Sequence, residues 1–234
     1  MLLGTFERYA TAVALLATVA SSASHAQAAD ITSRHLREEI VDAAAAGRLP
    51  QLDSAALEPG VRREIRIHTG FGLGSPNHIT RLWQDDRGVH GQLGVFWRLG
   101  YPSWVSSDQG PGPTEAQQKE DANVRKFIAS TYGCRAVTSS RGMNLCWLDA
   151  RPQRESWSEV LAQLDSAGVE TIRTPAKPKM GVDGWLTLVE VRNASGYRTY
   201  WFWAPDPTSN GPNERAVARV ETVLANALNR RLAK

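Results

Sequence analysis

Hydrophobic residues fall at helical spacing early in the chain and switch to a two-residue period after Pro59-Gly60. Before the switch, Thr32 to Gly47 predicts a helix: Thr32 or Ser33 caps it, Leu36, Ile40, Val41 and Ala44 form its apolar stripe, and Gly47 stops it. After the switch, Val61 to His68 predicts a half-buried strand, with Ile65 and Ile67 on the inner side and Glu64, Arg66 and His68 on the outer. His78 to Gln84 and Val89 to Arg98 follow as a hairpin across Asp85-Asp-Arg-Gly88, a strong turn signal. Turn parity sets Ile79, Arg81 and Trp83 on one face with His90, Gln92 and Phe96, and Val89, Leu93, Val95 and Trp97 on the other.

The densest run of strand formers comes late. Trp185 to Arg192 and Tyr197 to Trp203 predict a second hairpin, closed by Asn193-Ala-Ser-Gly196. One of its faces carries Trp185, Thr187, Val189 and Val191 with Arg198, Tyr200 and Phe202; the other carries Leu186, Leu188, Glu190 and Arg192 with Tyr197, Thr199, Trp201 and Trp203. Both faces are apolar toward the open end, which predicts an inner hairpin covered on both sides. A helix opens at a Thr114/Gln117 capping box with Val124, Phe127, Ile128 and Tyr132 as its stripe. Another opens at Ser156/Glu159 with Trp157, Val160, Leu161 and Leu164 inward and Gly168 as its stop, and Val169 to Arg173 reads as a short strand. Asn213 caps a last helix whose stripe is Val217, Val220, Leu224, Ala227 and Leu228. Together these elements predict an α+β fold: a mainly antiparallel sheet of about six or seven strands with helices packed largely on one face.

Composition adds a compartment. Arg8, the apolar run Thr11 to Ala20 and the small residues ending at Ala28 predict a cleaved signal peptide over 1–28. An N-terminal helix and linker over 29–58 and a single α+β domain over 59–234 follow from that boundary. No later stretch approaches the ~20 apolar residues of a membrane span, so the expected location is the periplasm or the cell exterior. In an oxidising compartment Cys134 and Cys146, on either side of a Ser139-Ser-Arg-Gly142 turn, predict a disulfide between neighbouring strands.

Charge and motifs then remove function classes. The net charge of +3 comes from scattered arginines interleaved with acids, without the basic stripe that a phosphate backbone needs, so nucleic acid is not an expected partner. Gly70-Phe-Gly-Leu-Gly-Ser-Pro-Asn77 resembles a dinucleotide turn only superficially, because its third glycine is missing and a strand follows. His68, His78 and His90 match no ligand spacing, so neither a metal nor another cofactor is expected. Gly-x-Ser-x-Gly is absent, and a disulfide removes any thiol nucleophile. Asp85-Asp86 suits an Asx turn better than an acid–base pair. Glu190 suits a cross-strand cluster with Arg192, Tyr197 and Thr199, although a carboxyl beside Trp201 can have its ionisation shifted. Glu190 and Asp86 are therefore the catalytic candidates.

Eight tryptophans in a chain of this length are the compositional surplus. Flat rings with a polar edge stack on sugars and anchor protein interfaces. Trp83, His90 and Phe96, with Tyr101 and Trp104 from the Gly/Pro/Ser-rich stretch 99–113, are the positions expected on an exposed binding patch. The expectation is an exported, non-catalytic binding protein acting on a protein partner, in an inhibitor-like or immunity-like role, or on envelope polysaccharide. An exported hydrolase using Glu190 or Asp86 as general acid or base is the alternative. A sequon, Asn193-Ala-Ser195, sits on the second hairpin turn, where a glycan can be accommodated.

Overall fold

The computed structural model describes residues 37–38, 40–53, 56–70, 77–98, 114–134, 137–138, 143–148, 151–175 and 184–228. The expected signal segment 1–28 and the patch candidates Tyr101 and Trp104 lie outside them. The chain divides into two compact units between Ile40 and Val41. The sheet and its helices belong to the second unit, as do the described residues from Val41 onward.

Seven strands form one antiparallel sheet. They are β1 (Arg63–Gly70), β2 (Asn77–Asp85), β3 (Gly88–Arg98), β4 (Val137–Thr138), β5 (Met143–Leu148), β6 (Leu186–Asn193) and β7 (Gly196–Trp203). Their order across the sheet is β4-β5-β3-β2-β1-β6-β7. Both hairpins have the anticipated register, with Trp83 opposite His90 and Asn193 opposite Gly196. The Asn193 side chain accepts the Ser195 N–H at 2.8 Å, an Asx turn that fixes the second hairpin. The β6–β7 hairpin is not internal, however. β6 pairs with β1, and β7 is the sheet edge.

That edge is covered by the segment expected as a strand. Gly168 takes a left-handed φ of 84°, so residues after it keep turning instead of extending. Side chains then replace a backbone ladder: Tyr200 Oη donates to the Val169 carbonyl at 2.8 Å, the Trp201 N–H donates to Thr174 Oγ1 at 3.1 Å, and Arg198 donates to the Glu170 carbonyl.

One sheet face meets the helices α1 (Glu115–Tyr132), α2 (Trp157–Ser166) and α3 (Pro212–Leu228). Ile65, Ile67, Leu82, Val189, Val191, Tyr200 and Phe202 project from it into a core with Val160, Leu164, Val217, Val220 and Leu224. The capping box of α2 is present, with Glu159 N–H on Ser156 Oγ at 3.3 Å and Ser156 N–H on the Glu159 carboxylate at 2.6 Å. Trp157 packs over Gly91 of β3. Arg63 of β1 grips Asp165 at the end of α2 with both Nη atoms, at 3.0 and 2.5 Å. In α3 the helix opens at Pro212, one residue before the expected cap, because proline suits the first helical position and loses no hydrogen bond there.

α1 departs from its expected stripe. Val124 packs against the cluster of Val95, Trp97 and Cys146, but Phe127, expected inward, is 57% exposed. The side chains of Ile128 and Tyr132 lie outside the described residues. Cys134, just past the helix, is bonded to Cys146 of β5. The disulfide therefore ties a helix end to a strand and does not link two neighbouring strands. Among the described residues no helix is long and apolar enough to cross a membrane.

The opposite face is met by Gly47 at β5 and by Glu58 at β2. Residues 41–46 are helical, with Ala43, Ala44 and Ala46 buried. Gly47 ends this turn for a different reason than expected: Arg48 adopts the left-handed conformation, with φ 54°, and Gly47 is where the chain touches β5. A Cβ at Gly47 would lie 2.7 Å from Leu145 Cδ2 and 3.1 Å from Trp147 Cζ2.

Candidate functional site

The outer side of β1, expected to be wet, is the most deeply buried polar surface described. Glu64, Arg66 and His68 project from it, and all three are buried. Register brings Arg81 of β2 and Glu190 of β6 level with Arg66 on either side. The two central pairings thus assemble charges that lie far apart in sequence.

Glu64 is the hub of one half. Its Oε1 accepts from Arg66 Nε at 2.7 Å and from Arg81 Nε at 2.8 Å, while Oε2 accepts from Arg81 Nη2 at 3.0 Å. Arg81 Nη2 also donates to Glu58 at 2.9 Å, which ties residues 41–58 to the sheet. Burial works against the Arg81 charge, yet Glu64 and Glu58 outweigh it and raise its pKa above the ordinary value. Charge-assisted, bidentate contacts of this kind are strong and geometrically demanding.

Glu190 is the hub of the other half, at 3% exposure. Its Oε2 lies 3.0 Å from His68 Nε2, and its Oε1 accepts from Tyr197 Oη at 3.1 Å. The sequence named Tyr197 correctly, but the basic partner of Glu190 is His68 of β1; Arg192 stands opposite Tyr197, one row along. Burial, then the negative charge of Glu190 and that of Asp53, push the Tyr197 phenol upward, against a hydrogen bond with Thr199. Chemically, a carboxylate that orients an imidazole is the arrangement used to position a proton acceptor. Here the imidazole is itself buried, edge-on to Phe96 at 6.0 Å.

A second, more open group adjoins this cluster through Arg81. Its guanidinium carbon lies 4.6 Å from the centre of the half-buried Trp83 ring. Trp83 is stacked on His90, with ring centres 5.2 Å apart and planes inclined by 22°. His90 Nε2 is held 3.0 Å from Asp85 Oδ1, which also accepts the Arg87 N–H at 2.7 Å. Burial opposes ionisation of Asp85, but these partners prevail and hold its carboxyl below the usual range. Asp85 is thus an Asx-turn residue that also clamps an imidazole.

Of the expected patch, Trp83 and His90 come together. Phe96 does not join them: at 0% exposure it lies inside the same face, because its position is covered and not merely alternated outward. Asp86 is 83% exposed and faces Arg62 at 3.5 Å, remote in character from any enclosed acid–base pair. His68 and His90 share a face while His78 is on the other, and among the described residues no group of His, Cys, Asp and Glu is placed to hold a metal. Sequence reasoning missed Glu64, Arg66, His68 and Arg81. The available signal was their shared parity with Glu190, which becomes informative only once β1 is known to lie between β2 and β6.

The fold and site define an antiparallel α+β sheet protein with a buried ionic cluster beside a half-open aromatic pair. The chain matches no protein-family model, no curated protein and no solved structure.

Proposed function

We propose that this is an exported, non-catalytic binding protein whose contact surface centres on Trp83 and His90. One observation carries the reading: a half-exposed indole is held in place before any partner arrives, by the His90 ring on one hand and Arg81 on the other. Ordering an aromatic anchor in advance removes part of the entropy cost of association. Its flat ring, polar edge and the adjacent Arg81 guanidinium suit a protein anchor pocket or a sugar face. Export, through the segment 1–28, is part of the same proposal, and the Cys134–Cys146 bond suits that compartment.

The hydrolase alternative has less support. Both oxygens of Glu190 are committed to His68 and Tyr197, and Asp86 stands in open solvent. A pull-down from envelope extract tests the binding reading, comparing the wild type with Trp83→Ala and His90→Ala variants of unchanged circular dichroism. A protein or polysaccharide held by the wild type and lost from both variants supports it. Equal recovery on all three overturns it.

A further inference from the structure

Arg66 is fully enclosed, yet only its Nε is used. That atom donates to Glu64, while neither Nη1 nor Nη2 has a hydrogen-bond partner among the described residues. Two residues along the same strand and on the same face, about 7 Å away by strand geometry, His68 also leaves a buried atom, Nδ1, without a partner. Four guanidinium N–H groups and one imidazole nitrogen are thus unmatched in one enclosed region. Buried donors are almost always paired, and a charged one left unpaired is among the costlier defects a fold can carry.

Neighbouring groups do not remedy this. Glu64 is shared by two arginines, and Glu190 spends both oxygens on His68 and Tyr197. Arg81, by contrast, reaches both Glu64 and Glu58. The same cluster therefore satisfies one guanidinium and leaves the fork of the other open. A planar fork with two free Nη groups matches two oxygens on a single centre.

We infer that Arg66, with His68 beside it, is the recognition point for a small oxyanion, a carboxylate or a phosphoryl group, bound on the sheet face that Gly47 and Glu58 reach. The chain before β1 touches β5 at Gly47, where a Cβ would meet Leu145, and is pinned to β2 where Glu58 takes Arg81. The site adjoins the Trp83 surface through Arg81 and Glu64 but uses other atoms, and it stands whether or not that surface has a partner.

Thermal unfolding of the full, disulfide-bonded chain in sodium acetate, sodium phosphate or sodium chloride at equal ionic strength tests this. A ligand of the native state raises the midpoint, by an amount that grows with the logarithm of its concentration once that exceeds the dissociation constant. The midpoint is expected to rise in acetate or in phosphate relative to chloride; acetate alone assigns a carboxylate, phosphate alone a phosphoryl group. Arg66→Lys keeps the charge and loses the fork, so it should raise the apparent dissociation constant tenfold or more, whereas Phe127→Ala, at an exposed position of α1, should leave it unchanged. Equal midpoints in the three salts, or an undiminished effect in Arg66→Lys, overturn the inference. Should Arg66→Lys fail to fold, a wild-type crystal structure in the same salts decides. An oxyanion on Nη1 and Nη2 sustains the site, and water alone refutes it.

Discussion

The carboxylate of Glu64 receives Arg81 through Nε on Oε1 at 2.8 Å and Nη2 on Oε2 at 3.0 Å, and lends Oε1 to Arg66 as well. Removing that carboxylate strands two cations on one sheet face. Glu64→Ala should therefore destabilise the protein by about 3–5 kcal/mol, the range for breaking a buried ion pair from one side. Replacing all three together, as Glu64→Leu/Arg66→Met/Arg81→Met, should cost less than the single change. Urea unfolding of the two variants makes the comparison.

Glu221 of α3 is the buried carboxyl that links helix to sheet, accepting from Trp185 Nε1 at 2.8 Å and from Thr187 Oγ1. Burial, opposed by those two hydrogen bonds, pushes its pKa from 4.5 to about 6. A raised folded pKa means that its stabilising contribution is complete below pH 4.5 and is lost as pH climbs through 6. The size of that change is about 2 kcal/mol. Asp85, whose pKa is lowered, acts in the opposite sense: its contribution is present above its ordinary value of 3.8 and lost on acidification. Unfolding free energies between pH 4.5 and pH 7 should flatten in Glu221→Gln relative to the wild type.

Gly91 lies beneath Trp157, and a Cβ there would sit 2.4 Å from indole Cδ2. Gly91→Ala should cost about 1–3 kcal/mol through overpacking. Adding Trp157→Leu should return part of that loss, so the two changes should be non-additive in a double-mutant cycle.

The Cys134–Cys146 bond joins the end of α1 to β5 across a separation of 12 residues. Reduction should lower stability by about 3 kcal/mol, by freeing a loop of that size in the unfolded chain. Because the bond anchors the end of α1, where Phe127 is exposed, the amides of this helix should lose hydrogen-exchange protection first, while those of β1 and β6 stay slow.

Much of this fold was legible from local signals. The turn at Asp85–Gly88, the Asn193 Asx turn, the capping box of α2 and the face assignments of both hairpins depend on residues close together in sequence, and each is found. The disulfide was readable from two cysteines, although its helix-to-strand placement was not. The candidate site was only partly visible. Trp83 and His90 face each other across one hairpin, so parity alone united them, whereas His68 meets Glu190 across a separation of 122 residues.

The sequence by itself determined which residues share a side of each strand and where the chain reverses, because a two-residue period and turn chemistry act over a few bonds. Only the tertiary structure decided that β1 lies between β2 and β6, that Gly47 and Glu58 reach the charged face of the sheet, and that Phe127 stays in solvent. The physical reason is that alternation distinguishes one face from the other but does not specify what will cover it. Glu64, Arg66 and His68 carry the signature of a wet face and became an interior one through partners contributed by distant segments.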